Sequence, residues 1–194
     1  IDAAGATLRR WAEAQSIVWG VPEVEALEVA LDYRAAHGRA LTTVVMGLRS
    51  MVRTEGAPVV VAQRLKRMPA IVGKLTRFAR MDLSRMQDIG GCRAILPDQS
   101  SIDRVRRRIS RNRWVIDREY DYVSIPKSTG YRALHLVVLN HGRLIEVQLR
   151  TAAQHEWAEA VEKIEARHRY GLKDGTGPDE VMKLLQKSAY AMDQ

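Results

Sequence analysis

Between Leu144 and Arg150 the chain reads Leu-Ile-Glu-Val-Gln-Leu-Arg, and this strict alternation constrains the fold more than any other stretch. Successive side chains of a strand point to opposite faces. Ile145, Val147 and Leu149 therefore share one face, and Glu146, Gln148 and Arg150 share the other. A helical period would scatter both sets around its circumference. Residues 133–139 form a second strand candidate, and Asn140-His141-Gly142 between the two is a hairpin signal. The polar face is either an exposed sheet face or a covered one. If it is covered, the Glu146 carboxylate needs a partner or a metal ion.

Three further strand candidates are the run Val59-Val60-Val61-Ala62, residues 92–96 and residues 114–120. The remaining segments have helical spacing. Leu8, Trp11, Ala12, Val18 and Trp19 fall on one face of a first helix, which Gly20 and Pro22 end. Val24, Leu27 and Leu31 set the stripe of a second helix, and Leu41, Val44, Val45, Leu48 and Val52 that of a third. Pro69 suits the first turn of a fourth, whose stripe is Ile71, Leu75 and Phe78. Ser100 or Ser101 is a candidate cap for a helix that buries Ile102, Val105 and Ile109. Trp157, Val161 and Ile164 face inward on the helix over residues 153–166. After a loop at 171–178, a short helix carries Val181, Leu184 and Leu185. The class expected is α+β, a mixed sheet of about five strands flanked by helices. Residues 1–56 form an N-terminal helical region, 57–170 the core, and 171–194 a C-terminal loop and helix.

A chain of 194 residues with 46% hydrophobic residues can build a sizeable core, and no run is apolar for long enough to cross a membrane. The lone Cys92 permits no internal disulfide and fits a reducing compartment, so a cytoplasmic location is expected. Lys and Arg number 31 against 23 Asp and Glu, a net charge of +8, which points to polyanionic partners. Nucleoside polyphosphates and RNA both qualify. Arg64, Lys66 and Arg67 gather before the helix that begins near Pro69, either as a phosphate site at a helix N-terminus or as a solvated basic face. Arg104, Arg107, Arg108 and Arg111 form either a solvated face or an RNA-contacting one. In Pro126-Lys127-Ser128-Thr129-Gly130-Tyr131, a cation, two hydroxyls and an aromatic ring follow one another in a loop, which is either a plain connection or a nucleotide contact. Asp88, just before Gly90-Gly91, is a turn residue unless a second carboxylate faces it. His37, His141, His155 and His168 have no spacing that would build a transition-metal centre.

Four segments taken together resemble the synthetase domain of the RelA/SpoT alarmone enzymes. They are RLKRMPAIVGKL (64–75), DIGGCRAI (88–95), DYVSIPKSTGYRALH (121–135) and IEVQLRT (145–151). Their order and spacing match over roughly half the chain, and the compact length without a His-Asp hydrolase region is similar to a small alarmone synthetase. The resemblance implies transfer of the β,γ-pyrophosphate of ATP to a 3′-hydroxyl, with Mg²⁺ as cofactor. By that resemblance Arg64 and Arg93 sandwich the adenine, while Lys66 and Lys74 meet the ATP phosphates. Asp88 and Glu146 serve the metal, and Glu146 is the base for the attacking hydroxyl. Tyr131 stacks on the acceptor base, and Lys127, His135 and Gln148 complete the acceptor site.

Three departures stand out: Ala70 where the family often has Ser, Tyr120 where an RxKD version of the motif has Lys, and the helix start Gln154-His155-Glu156-Trp157, which differs from the commoner long-enzyme pattern. The implied partners are ATP and GDP or GTP. The toxic members of the family instead modify the tRNA 3′ end or adenine nucleotides, and would add an antitoxin partner. A homo-oligomer is a further expectation, and a non-catalytic nucleotide- or RNA-binding module is the reading from another class.

Overall fold

The turn His141-Gly142 has φ of 47° and 68°, the pair of positive values that matches the right-handed twist of two antiparallel strands. In the computed structural model, which describes all residues except 16, 17, 59, 169, 170, 173, 174 and 192–194, it joins β4 (Leu134–Asn140) to β5 (Arg143–Thr151). The other strands are β1 (Val60–Leu65), β2 (Gly90–Leu96) and β3 (Val115–Asp121). Their order is β1-β2-β5-β4-β3, with β2 and β5 parallel and every other pair antiparallel. The expected mixed five-stranded α+β sheet is what forms.

One face of the sheet is apolar. Cys92, Ala94 and Leu96 of β2, Leu134, Leu136 and Val138 of β4, and Ile145, Val147 and Leu149 of β5 are buried there. They pack against α3 (His37–Thr54) through Leu41, Val44, Val45, Leu48 and Val52, and against α5 (Gln99–Arg111) through Ile102, Val105 and Ile109. The opposite face carries Arg93, Glu146, Gln148 and Arg150 and is partly roofed by α6 (Ala152–His168). A second apolar cluster joins α1 (Asp2–Glu13), α2 (Val21–Ala35) and α4 (Met68–Arg77). In a third, α6 meets α7 (Asp179–Ala191) through Trp157, Val161, Leu185 and Ala189.

Several local expectations need correction. Helix α1 ends at Glu13, so Val18 and Trp19 lie outside it, although the Trp11 and Trp19 rings still meet at 4.1 Å. Val24 and Leu31 are exposed, and α2 instead buries Ala26 and Ala30, whose small side chains let α1 and α2 approach closely. Phe78 stands at the exposed end of α4, while Ile71 and Leu75 are buried as expected. Val59 lies outside the described residues, and β1 continues to Leu65, so Arg64 belongs to the strand itself. The cap of α5 is Asp98, which accepts from the Ser101 backbone N–H at 2.7 Å; Ser101 sits one turn too late to do this. Of the apolar residues named on α7, Leu185 is buried and Leu184 is exposed. His37 is a packing residue, fully buried with Nδ1 2.8 Å from the Tyr33 carbonyl.

Candidate active site

Strand register brings the site together. Arg64 pairs with Gly91, which pairs with Glu146; one step along, Ala62, Arg93, Gln148 and His135 are successive partners across four strands. All these side chains fall on the polar face because they share strand parity. Gly91 contributes no side chain between Arg64 and Glu146, so the floor is open there. Arg64 and Arg93 are diagonal neighbours on antiparallel strands. Such positions lie about 7 Å apart, the width of a flat ring held between two planes at about 3.5 Å each.

The floor opens into a cleft of about 500 Å³ lined by Arg64, Lys66, Lys74, Asp88, Lys127, Tyr131, His135, Glu146 and Gln148, with Trp157 of α6 on its rim. Arg93 lines an adjoining recess of about 180 Å³, which shares Arg64, Asp88, Glu146 and Gln148 with the cleft. The ten residues singled out in the sequence thus converge on one concavity, of a size that suits a small-molecule ligand.

Asp88 accepts from Lys66 Nζ and from Lys74 Nζ, both at 2.9 Å. Burial pushes its carboxyl upward, yet the two ammonium groups outweigh that and hold it below the ordinary range. Glu146 behaves similarly. Burial raises it, while the bond and charge of His135 and a bond from Gln148 lower it, for a net downward shift against the repulsion of Asp88. His135 Nδ1 lies 3.0 Å from Glu146 Oε1, and Gln148 Nε2 donates to Oε2 at 2.6 Å. The Tyr131 hydroxyl is 2.7 Å from His135 Nε2, and burial pushes its pKa up to about 12. Both carboxylates therefore enter neutral solution ionised, at the centre of a basic cleft.

Tyr131 leaves the loop beside Gly130, whose φ of +93° favours glycine. A Cβ at Gly130 would also stand 2.7 Å from Ala189 of α7. The loop is seated against α7 by this contact and by Gln186 Nε2, which donates to the Ser128 carbonyl at 2.7 Å. Lys127 Nζ is 4.6 Å from the Tyr122 ring and 5.2 Å from the Tyr131 ring, a cation held beside two aromatic faces. Tyr122, Gln87 and Arg150 are among the lining residues that had no role assigned from sequence. Tyr122 and Gln87 show no spacing that links them to the rest, and Arg150 was visible only as the third polar member of the β5 alternation. Arg106 and Arg108 of α5 pair with Glu119, Asp121 and Glu55, and their helix lies behind the apolar face, away from this cleft.

A family model described as the region found in RelA / SpoT proteins matches residues 63–174, which include all ten of the residues singled out in the sequence. The chain belongs to the RelA/SpoT family. Among RelA/SpoT relatives, the GTP pyrophosphokinase YjbM of Bacillus subtilis is 27% identical over 175 residues, covering 83% of this chain and 80% of that protein. A probable GTP diphosphokinase, chloroplastic RSH3 of Arabidopsis thaliana, is 30% identical over 123 residues, 61% of this chain but only 17% of that longer protein. The crystal structure of small alarmone synthetase 1 from Bacillus subtilis bound to its product pppGpp superposes with a TM-score of 0.70 at 25% identity. It covers 86% of this chain and 90% of that one. The RelA/SpoT fold therefore extends beyond the matched region into the N-terminal helices.

Proposed function

We propose that this chain is an ATP-dependent pyrophosphokinase that transfers the β,γ-pyrophosphate of ATP to the 3′-hydroxyl of GDP or GTP, releasing AMP. The observation that carries this reading is the Glu146 carboxylate, held by His135 and Gln148 on the floor of a cleft lined with cations, in a chain of the RelA/SpoT family. The acceptor oxygen attacks the β-phosphorus of ATP, the bond from that phosphorus to the α–β bridging oxygen breaks, and the hydroxyl proton passes to Glu146. Arg64 and Arg93 hold the adenine between their planar guanidinium groups. Lys66 and Lys74 leave Asp88 in part to meet the phosphates, and Tyr131 supplies the face on which the acceptor base stacks. Lys127, His135 and Gln148 hold that nucleotide in place.

Asp88 and Glu146 fit a Mg²⁺ ion, since both are oxygen donors held ionised in one cleft and substrate phosphates would complete the ligand set. Bound there, the ion would neutralise phosphate charge during transfer. Among the described residues no helix is long and apolar enough to cross a membrane. The single buried Cys92 supports the cytoplasm, where ATP and GTP are available, as the place of action.

One observation favours a second acceptor. Beside the cleft, and sharing Lys74, Arg77, Gln87 and Tyr120 with it, lies a groove of about 780 Å³ where Arg80, Arg85 and Arg118 join those cations around the exposed Phe78. Cations interleaved with aromatic rings suit the 3′ end of an RNA strand such as tRNA. The test is to incubate the protein and Mg²⁺ with ATP labelled at its β or γ phosphate, offering GDP, GTP, ATP, AMP and deacylated tRNA separately. Label on guanine nucleotides is the expected result. Label on tRNA would establish the second acceptor, and no transfer to any acceptor would overturn the enzymatic reading in favour of a binding module.

A further inference from the structure

Arg150 stands four residues after Glu146 on the same face of β5 and is only 5% exposed. One nitrogen does its hydrogen bonding. Nη2 donates to the Tyr131 hydroxyl at 2.6 Å and to Gln148 Oε1 at 2.7 Å. The guanidinium carbon also lies 5.1 Å from the centre of the Tyr131 ring. The Nε and Nη1 groups are closed off from solvent and have no hydrogen-bond partner among the described residues. A buried donor without an acceptor is unfavourable, so fold stability alone does not account for a cation at this position.

The bonds of Arg150 close a ring. From Glu146 one arm runs through His135 to Tyr131 and the other through Gln148, and Nη2 joins the two ends. A guanidinium only donates, so the Tyr131 oxygen and Gln148 Oε1 must both accept. With Oε1 committed in this way, the Gln148 amide turns its NH₂ toward Glu146. Nη2 also holds the Tyr131 oxygen at the point where it meets His135 Nε2.

We infer that Arg150 is a positioning residue for the acceptor half of the site, setting Tyr131 and Gln148 through the single nitrogen Nη2. This inference rests on the reading of Tyr131 and Gln148 as acceptor contacts only for its kinetic consequence; the placement of the Tyr131 ring is independent of it. Because one nitrogen makes both bonds, an ammonium group placed there can replace it. Two-pronged phosphate binding by the guanidinium would instead be lost in a lysine variant.

The test compares Arg150→Met with Arg150→Lys in the full chain. In the ligand-free protein labelled with ¹³C-tyrosine, the Tyr131 ring signal, assigned by its absence in Tyr131→Phe, moves in Arg150→Met and returns toward the parent position in Arg150→Lys. In the transfer assay, Arg150→Met raises the acceptor KM at least ~10-fold with ATP KM little changed, and Arg150→Lys recovers most of the loss. The melting temperature of Arg150→Met stays level or rises, since an apolar side chain replaces a half-satisfied buried cation. An unmoved Tyr131 signal in Arg150→Met, or a lysine variant as defective as the methionine one, overturns the inference. If Arg150→Met does not fold, the lysine variant decides alone: a parent-like ring signal and acceptor KM support the inference, and loss of either refutes it. Should the parent transfer no pyrophosphate at all, the functional reading fails while the ring signal still judges the placement of Tyr131.

Discussion

The two faces of this sheet are built from the same strands by opposite means. On the apolar face, Val147 and Leu149 lie under α3 and α5 with their surfaces fully covered, and any well-shaped hydrocarbon of similar volume would serve. On the polar face, Glu146, Gln148 and Arg150 alternate with them in the same strand, and each is held by named partners at 2.6–3.0 Å. The first face tolerates exchange of one apolar residue for another and fails by cavity formation. The second tolerates loss of volume and fails by loss of a donor, an acceptor or a charge. One strand thus separates stability from chemistry by side-chain parity.

Substitutions that respect this parity should have separable effects. The largest is expected from Leu149→Ala on the apolar face, which should lower unfolding stability by about 2–5 kcal/mol in urea titrations. If the residual folded fraction still transfers pyrophosphate at the parental rate per molecule, the separation holds. Next, Glu146→Gln should lower transfer at least ~10²-fold, with a smaller loss of unfolding stability than Leu149→Ala. Unchanged transfer would remove Glu146 as the base. Acidification comes third. Asp88 and Glu146 have folded pKa values below their unfolded ones, so they add stability above the unfolded carboxylate range, and that stability is lost as pH falls through the folded values. Thermal melts across the acid range should show the parent losing stability below about pH 4, and Asp88→Asn losing less. The smallest effect is expected from Arg107→Gln with Arg111→Gln on the outer side of α5, which should leave nucleotide transfer within about twofold. A marked fall for a tRNA acceptor alone would extend the substrate path around the molecule's edge.

How far the sequence discloses these faces depends on how local each determinant is. The alternation in β5, the hairpin turn and the spacing of Leu41, Val44, Val45, Leu48 and Val52 are periodic signals, and the structure follows them. Helix α2 misled because its buried face is made of Ala26 and Ala30, which a search for large apolar residues passes over. The α5 cap was missed because Asp98 lies just before the two serines that look like caps. In the site, the family motifs marked ten residues that do converge, yet their pairings were not legible. Asp88 meets Lys66 and Lys74, 22 and 14 residues away, only because β1 runs antiparallel to β2 and α4 folds back over them. Arg150 could be placed on the right face by parity alone. That it ties Tyr131 to Gln148 is a fact of three dimensions.

The lone parallel pairing, β2 with β5, also governs when the site can exist. Glu146 and Gln148 stand beside Gly91 and Arg93 only after a segment more than fifty residues downstream has docked into the sheet's centre. Contacts so distant along the chain close late, after local helices and the β4–β5 hairpin. An emerging chain that already displays Arg64, Lys66 and Asp88 holds cations and a carboxylate but still lacks Glu146 and Gln148. The cleft is therefore expected to close late in folding, and it also needs α6 and α7, which supply Trp157 and seat the Tyr131 loop.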